Sequence, residues 1–179
     1  VSALLVSGTT RAQSTDAALS TVPKVDLNRY VGKWHEVALL PNRFQAQCVA
    51  DTTATYALKP NGRIEVTNRC RKADGTLDAA IGEARLATDD GSNAKLEVRF
   101  APAWLSWLPQ VWGNYWVIEL DGEYQYAVVS EPSRKFLWIL SRTPQLPAGT
   151  MEGIKSRLSA RGFDVTQLQF TPQGTENKK

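Results

Sequence analysis

Between Gly32 and Arg142 the chain never settles into a helical period. It runs instead through short stretches of alternating apolar and polar residues. Turn formers cut them apart: Pro60-Asn61-Gly62, Asp74-Gly75, Asp89-Asp90-Gly91-Ser92-Asn93, Asp121-Gly122 and Glu131-Pro132-Ser133. A period of two marks a half-buried strand, and Asx-Gly pairs between such runs mark tight hairpins. Strands are predicted over 33–40, 51–58, 63–70, 77–87, 94–100, 114–120, 124–130 and 136–142. The period changes after Pro147, where Met151, Ile154, Lys155 and Leu158 share one helix face and Arg161-Gly162 ends it. A ninth strand is expected from Phe163 to Phe170. The pattern is all-β: an eight-stranded antiparallel up-and-down barrel with one C-terminal helix and a short ninth strand. Closure removes the exposed edges that such a sheet would otherwise present.

At 179 residues the chain is one domain with room for a sizeable core or a cavity. Its net charge is +3, with Lys and Arg dispersed among 18 acids. No basic stripe could track a phosphate backbone, so nucleic acid is not an expected partner. No apolar run reaches the length of a spanning helix. Residues 1–12 read as the end of a signal peptide, an apolar Val1–Gly8 stretch followed by Thr10-Arg11-Ala12; a disordered tail is the plainer alternative. Residues 13–24 read as a linker, 25–172 as the barrel domain and 173–179 as a polar tail. No Cys follows the apolar stretch, so the expectation is an exported protein, periplasmic or secreted, with association with the outer membrane left open but without an evident lipidation cysteine.

Strand parity assigns the loops at 41–50, 71–76, 101–113 and 131–135 to one end, the top. Cys48 then sits at the top of the second strand and Cys70 at the top of the third. In an exported chain they read as one disulfide pinning the 41–50 loop to the rim, with two free buried thiols as the alternative. A lone pair of cysteines cannot build a four-ligand zinc site, and no metal or cofactor is expected. At the opposite end, Arg142 reaches the level of Trp34, where a guanidinium over the indole would plug the barrel base.

Alternation also nominates an interior wall: Glu36, Ala38, Ala54, Tyr56, Val66, Asn68, Trp116, Tyr126, Val128, Trp138 and Leu140. These side chains either line a cavity or fill the barrel solidly, since eight strands is the size at which both occur. Glu36 is either the satisfied partner of an internal Arg or Tyr, or a contact for a ligand head group. His35, the sole histidine, points outward, away from any cleft, and no catalytic residue is assigned. The 101–113 loop is unusually apolar. Trp104, Leu105, Trp107, Leu108 and Trp112 could cover the cavity as a lid, face a membrane or gate a ligand, or mediate self-association.

Asn28-Arg29-Tyr30-Val31-Gly32-Lys33-Trp34-His35-Glu36 resembles the first signature of the lipocalins. Leu39-Leu40-Pro41-Asn42-Arg43-Phe44 is similar to bacterial members close to the apolipoprotein D group. Leu120-Asp121-Gly122-Glu123-Tyr124 resembles the second signature, with a looser Asp–Tyr spacing, and Trp138-Ile139-Leu140-Ser141-Arg142-Thr143-Pro144 the third. Gly162-Phe163-Asp164-Val165 also resembles the bacterial branch, so the likeness spans roughly 25–172. It implies a barrel with an internal apolar cavity, fatty acids or lysophospholipids as guests, and a role in envelope upkeep. The lipid-anchoring Cys of many bacterial members has no counterpart here. The expected function is storage or transport of a small lipophilic ligand by a monomer or homodimer, without catalysis. The alternatives are an adaptor using the aromatic loop and an isomerase using Glu36.

Overall fold

In the computed structural model, which describes residues 17–100 and 111–174, one sheet curls until its first strand meets its last. The strands are β1 (Gly32–Leu39), β2 (Cys48–Leu58), β3 (Ile64–Lys72), β4 (Leu77–Leu86), β5 (Lys95–Arg99), β6 (Gly113–Leu120), β7 (Tyr126–Ser130) and β8 (Leu137–Ser141). Each pairs antiparallel with the next, and β1 pairs with both β2 and β8, which closes an eight-stranded barrel. The turn residues act as expected: Gly62, Gly75 and Gly91 all adopt positive φ. The ninth strand is shorter than predicted. A one-turn 3-10 helix occupies Val165–Gln167, capped by the Asp164 carboxylate, and only Gln169–Phe170 pairs with the sheet as β9. The short helix α1 (Leu27–Tyr30) is too brief to leave a period in the sequence.

Burial falls into two layers. Inside the barrel lie Trp34, Tyr56, Val66, Leu96, Val117, Val129 and Leu140. Outside it, helix α2 (Ala148–Ala160) lays Met151, Ile154 and Leu158 over Val37, Ile118, Val128, Leu137 and Ile139. Gly162, at φ +87°, ends that helix in the left-handed region. Residues 17–24, expected as a linker, belong to the fold. Leu19 is buried in the outer layer, Val22 donates its N–H to the Val117 carbonyl, and Arg161 bonds Ser20.

Arg142 holds the base together. Its guanidinium lies 3.7 Å from the Trp34 ring centroid and donates to the carbonyls of Arg29, Tyr30, Lys33 and Tyr124. The Arg29 and Tyr30 carbonyls belong to the end of α1, where backbone acceptors lack intrahelical donors. The Trp34 indole N–H donates to the Tyr30 carbonyl at 2.8 Å. Gly32 is required here: its φ is +99°, and a Cβ would lie 3.3 Å from an Arg142 nitrogen. The expected plug of Trp34 and Arg142 is therefore present, and it doubles as a cap for α1.

The seam between β1 and β2 is more elaborate. The two strands pair only from Gly32 to His35. Above that point β1 bulges between Glu36 and Ala38, β2 bends away through irregularities between Cys48 and Thr53, and the strands part. The C-terminal segment fills the gap. β9 pairs with Ala38 and Leu39, the Thr171 N–H donates to the Val37 carbonyl, and the Asp51 N–H donates to the Pro172 carbonyl. The Gln173 amide bridges the strands, donating to the carbonyls of Glu36 at 2.7 Å and Thr52 at 2.8 Å. The buried Glu36 carboxylate accepts from Thr171 Oγ1 at 2.6 Å and Gln45 Nε2 at 2.7 Å. His35, pointing outward, contacts Gln173.

Cys48 and Cys70 form the expected disulfide, with Cα atoms 5.5 Å apart. It ties the bent end of β2 to β3 across 22 residues, so chain-entropy arguments give about 3 kcal/mol of stabilisation. Replacing both by Ser should lower the unfolding free energy by about 2–4 kcal/mol in urea, and a change below 1 kcal/mol would show that the rim does not need the cross-link. Glu36 makes a pH prediction. Burial raises its carboxyl pKa, against the donors from Thr171 and Gln45. The folded chain thus holds this proton more tightly than the unfolded one. The corresponding stability is present below the ordinary carboxyl pKa and is lost as pH rises through the folded value. His35, whose pKa burial lowers, contributes in the opposite sense, losing stability as pH falls, but it is common to both proteins in a comparison with Glu36→Gln. The Tm of the native protein relative to Glu36→Gln should fall as pH rises from about 4 toward neutrality, and a pH-independent difference would contradict the assignment.

Candidate functional site

A cavity of about 370 Å³ opens at the top of the barrel. Its size sits near the lower end of the range for small-molecule sites. Six of the predicted wall residues line it: Ala54 and Tyr56 from β2, Val66 and Asn68 from β3, and Trp138 and Leu140 from β8. Four do not. Ala38, Trp116, Tyr126 and Val128 point outward and pack in or against the layer under α2. Lys95 lies over the Trp116 ring, and the Tyr126 hydroxyl donates to Glu119 on that outer face. The eleventh, Glu36, borders a separate cleft at the β1–β2 seam with Thr52, Phe170 and Pro172, rather than the main cavity. Of its two expected roles it takes the satisfied one, with Gln45 and Thr171 as partners in place of an Arg or Tyr.

The missed wall residues replace three of those four, Trp116, Tyr126 and Val128, at the adjacent register. On β6 and β7 the inward residues are Tyr115, Val117, Ala127 and Val129, of which Tyr115 and Val129 reach the cavity. β4 contributes small side chains, notably Ala80, which is exposed although it lines the cavity. Gly82 on the same strand is sterically compelled: a Cβ there would fall 2.6 Å from the Phe100 ring. That ring lies across β4 and forms part of the wall. The hollow side of the barrel is therefore β2 to β4, where Ala54 and Ala80 leave room.

The rim is polar and held by the 41–47 loop. Trp138 donates its indole N–H to Gln45 Oε1 at 2.9 Å, and the same Gln45 amide donates to Glu36. Phe44 packs on Phe136, which in turn stacks on Trp138. Gln47, Asn68, Arg69 and Asp78 supply hydrogen-bonding groups around the upper wall, and Gln47 donates to Asp78. Of the expected mouth-loop residues, Trp104, Leu105, Trp107 and Leu108 lie outside the described residues. Trp112 is described and is not among the residues that line the cavity. It stacks on the outer wall among Arg85 at 3.9 Å, Arg99 at 4.8 Å and Arg63 at 5.7 Å from its ring centroid.

At the floor, Tyr115 hydrogen-bonds both Tyr30 and Tyr56, with each O···O distance 2.8 Å. Burial raises all three hydroxyl pKa values, that of Tyr56 to about 12, so they remain neutral in the physiological range. Beneath them is a narrow apolar space bounded by Val25, Leu27 and Ile64. Among the described residues no group of three or more His, Cys, Asp or Glu side chains could hold a metal ion. The arrangement is a greasy, one-ended container with a polar rim and a small polar patch at its floor.

Comparison with known proteins agrees with this geometry. Residues 25–173 match the family model of the lipocalin-like domain. Temperature-induced lipocalin-1 of Arabidopsis thaliana is 39% identical over 156 residues, covering 87% of this chain and 83% of the plant protein. Outer membrane lipoprotein Blc of Citrobacter freundii is 34% identical over 155 residues, covering 87% and 83% of the respective chains. Apolipoprotein D of Mus musculus is 34% identical over 156 residues, covering 83% and 77%. The chain belongs to the lipocalin family, close to the bacterial Blc lipoproteins and to apolipoprotein D.

Proposed function

We propose that this lipocalin binds and carries a single-chain amphipathic lipid, a fatty acid or lysophospholipid, in the upkeep of a cell envelope. The observation that carries the reading is the cavity: it is open at one end, about 370 Å³ in volume, apolar along its wall and polar at its rim. Val66, Val129 and Leu140 offer contact to a hydrocarbon chain, whose burial yields about 0.8 kcal/mol per CH₂. Asn68 and Arg69, higher on β3, are placed to meet a head group. A disulfide and a likeness to an outer-membrane lipoprotein both support an exported protein. The wall residues supply contact area rather than an acid–base pair, which favours binding without covalent chemistry.

Titration with a fluorescent fatty acid and with lysophosphatidylcholine should give saturable binding at one site. Ala80→Trp, which projects an indole into the open side of the cavity without displacing a buried neighbour, should weaken both by at least about tenfold while leaving Tm near its native value. Saturable binding that is indifferent to Ala80→Trp would place the lipid elsewhere, and absence of binding to native protein would overturn the carrier reading.

A further inference from the structure

The floor tyrosines carry a surplus proton. Three hydroxyls bring three O–H hydrogens, and the two contacts that Tyr115 makes with Tyr30 and Tyr56 consume two of them. Among the described residues no other polar group meets these three oxygens. The chain can run from Tyr30 through Tyr115 to Tyr56, leaving the last proton on Tyr56, or converge on Tyr115, leaving it there. Tyr56 and Tyr115 both line the cavity. In either arrangement the third proton can turn toward the guest, backed by a hydrogen bond that polarises it. The reverse arrangement leaves that proton on Tyr30, below the floor, where the surrounding residues are Val25, Leu27 and Val31. A buried donor without an acceptor is costly, so the network gains by presenting its proton upward.

Resting on the carrier reading, we infer that the preferred guest bears a hydrogen-bond acceptor at its leading, buried end, a ketone, hydroxyl or ether oxygen, which takes the third proton of the Tyr30–Tyr115–Tyr56 hydroxyl chain. A plain methyl-ended chain fills the same wall but leaves that donor unmet. The floor then discriminates among lipids of similar length by the chemistry of their tips. Selectivity of this kind arises wherever a built donor must find its acceptor.

The test uses two matched series of alkylphosphocholines, about eight to fourteen carbons long, so that one length sets its tip at the floor. One series ends in a plain chain and the other carries a ketone next to its terminal methyl. The fixed charge of the head group keeps both series entering tip first. With native protein, the ketone should bind at least as tightly as the plain chain at the best length, and its bound C=O stretch should shift to the lower frequency of a hydrogen-bonded carbonyl. In Tyr56→Phe/Tyr115→Phe, which removes both cavity-facing hydroxyls while keeping the ring shapes, the ketone should lose about tenfold relative to the plain chain. The infrared reading needs no variant, so it stands if the double substitution does not fold. A ketone that binds native protein about tenfold more weakly than the plain chain, with its C=O stretch at the hydrocarbon position, overturns the inference and leaves the carrier reading intact. Failure of both series to bind native protein overturns the carrier reading and this inference with it.

Discussion

The barrel depends on what happens along β1. Its lower half pairs with β2, its upper half pairs with β8 on one edge and β9 on the other, and the bulge after Glu36 marks the exchange. A cylinder of eight strands must tilt and shear to close, and the seam is where the accumulated mismatch appears. Here the mismatch becomes a gap between β1 and β2 that the segment after Leu168 fills. Buried polar atoms within the gap could be expensive, yet each meets a donor or acceptor from that segment or from Gln45. The C-terminal strand is therefore not an appendage. It completes the wall where β2 leaves it, while the Arg142 guanidinium completes the base from the adjoining strand.

Much of this was legible in the sequence. Turn chemistry fixed the number of strands and their ends, because Asn-Gly and Asp-Gly pairs have few conformational alternatives. Parity then placed Arg142 over Trp34 and Cys48 beside Cys70. The interior face was read correctly on β2, β3 and β8 and one residue out of phase on β6 and β7. The cause is physical. β2 and β3 face water on their outer side, so Thr55, Glu65 and Thr67 alternate with the wall. On β7, Ala127, Val128, Val129 and Ser130 are all fully buried, because α2 covers the outer face and the barrel the inner one. With both faces apolar, a period of two carries no phase information. At Ala38 the error has another source, since a bulge resets the phase in mid-strand. The pairing of Val129 with Trp138 and Ala127 with Leu140 carries the inward phase of β8 across to β7.

The same asymmetry explains why the barrel is hollow where it is. Strands packed on both faces need large side chains to fill two layers, and β6 to β8 supply Val, Ile, Leu and Trp. β2 to β4 have water behind them and carry Ala54, Ala80, Gly82 and Ala84 on the inner side, too small to meet across the lumen. Phe100 crosses β4 over Gly82, which keeps part of that side from standing open. The cavity is thus a product of residue size on one arc of the sheet, and its position follows from where α2 docks.

A wall of this kind gives capacity more readily than selectivity. Apolar contact scales with the number of methylenes and treats chains of equal length alike, each worth about 0.8 kcal/mol whatever its neighbours. Discrimination has to come from groups whose satisfaction is conditional. At the rim, Arg69 and Asn68 remain in reach of water, so an unmatched head group costs little there. At the floor no such relief is at hand, since the tyrosine hydroxyls sit between the cavity and an apolar void. An unmet donor in that position costs about 1–3 kcal/mol, comparable to the gain from two or three methylenes. On the carrier reading, the tip of the guest can therefore outweigh a modest difference in its length, and the least accessible part of the container exerts the strongest choice over what it holds.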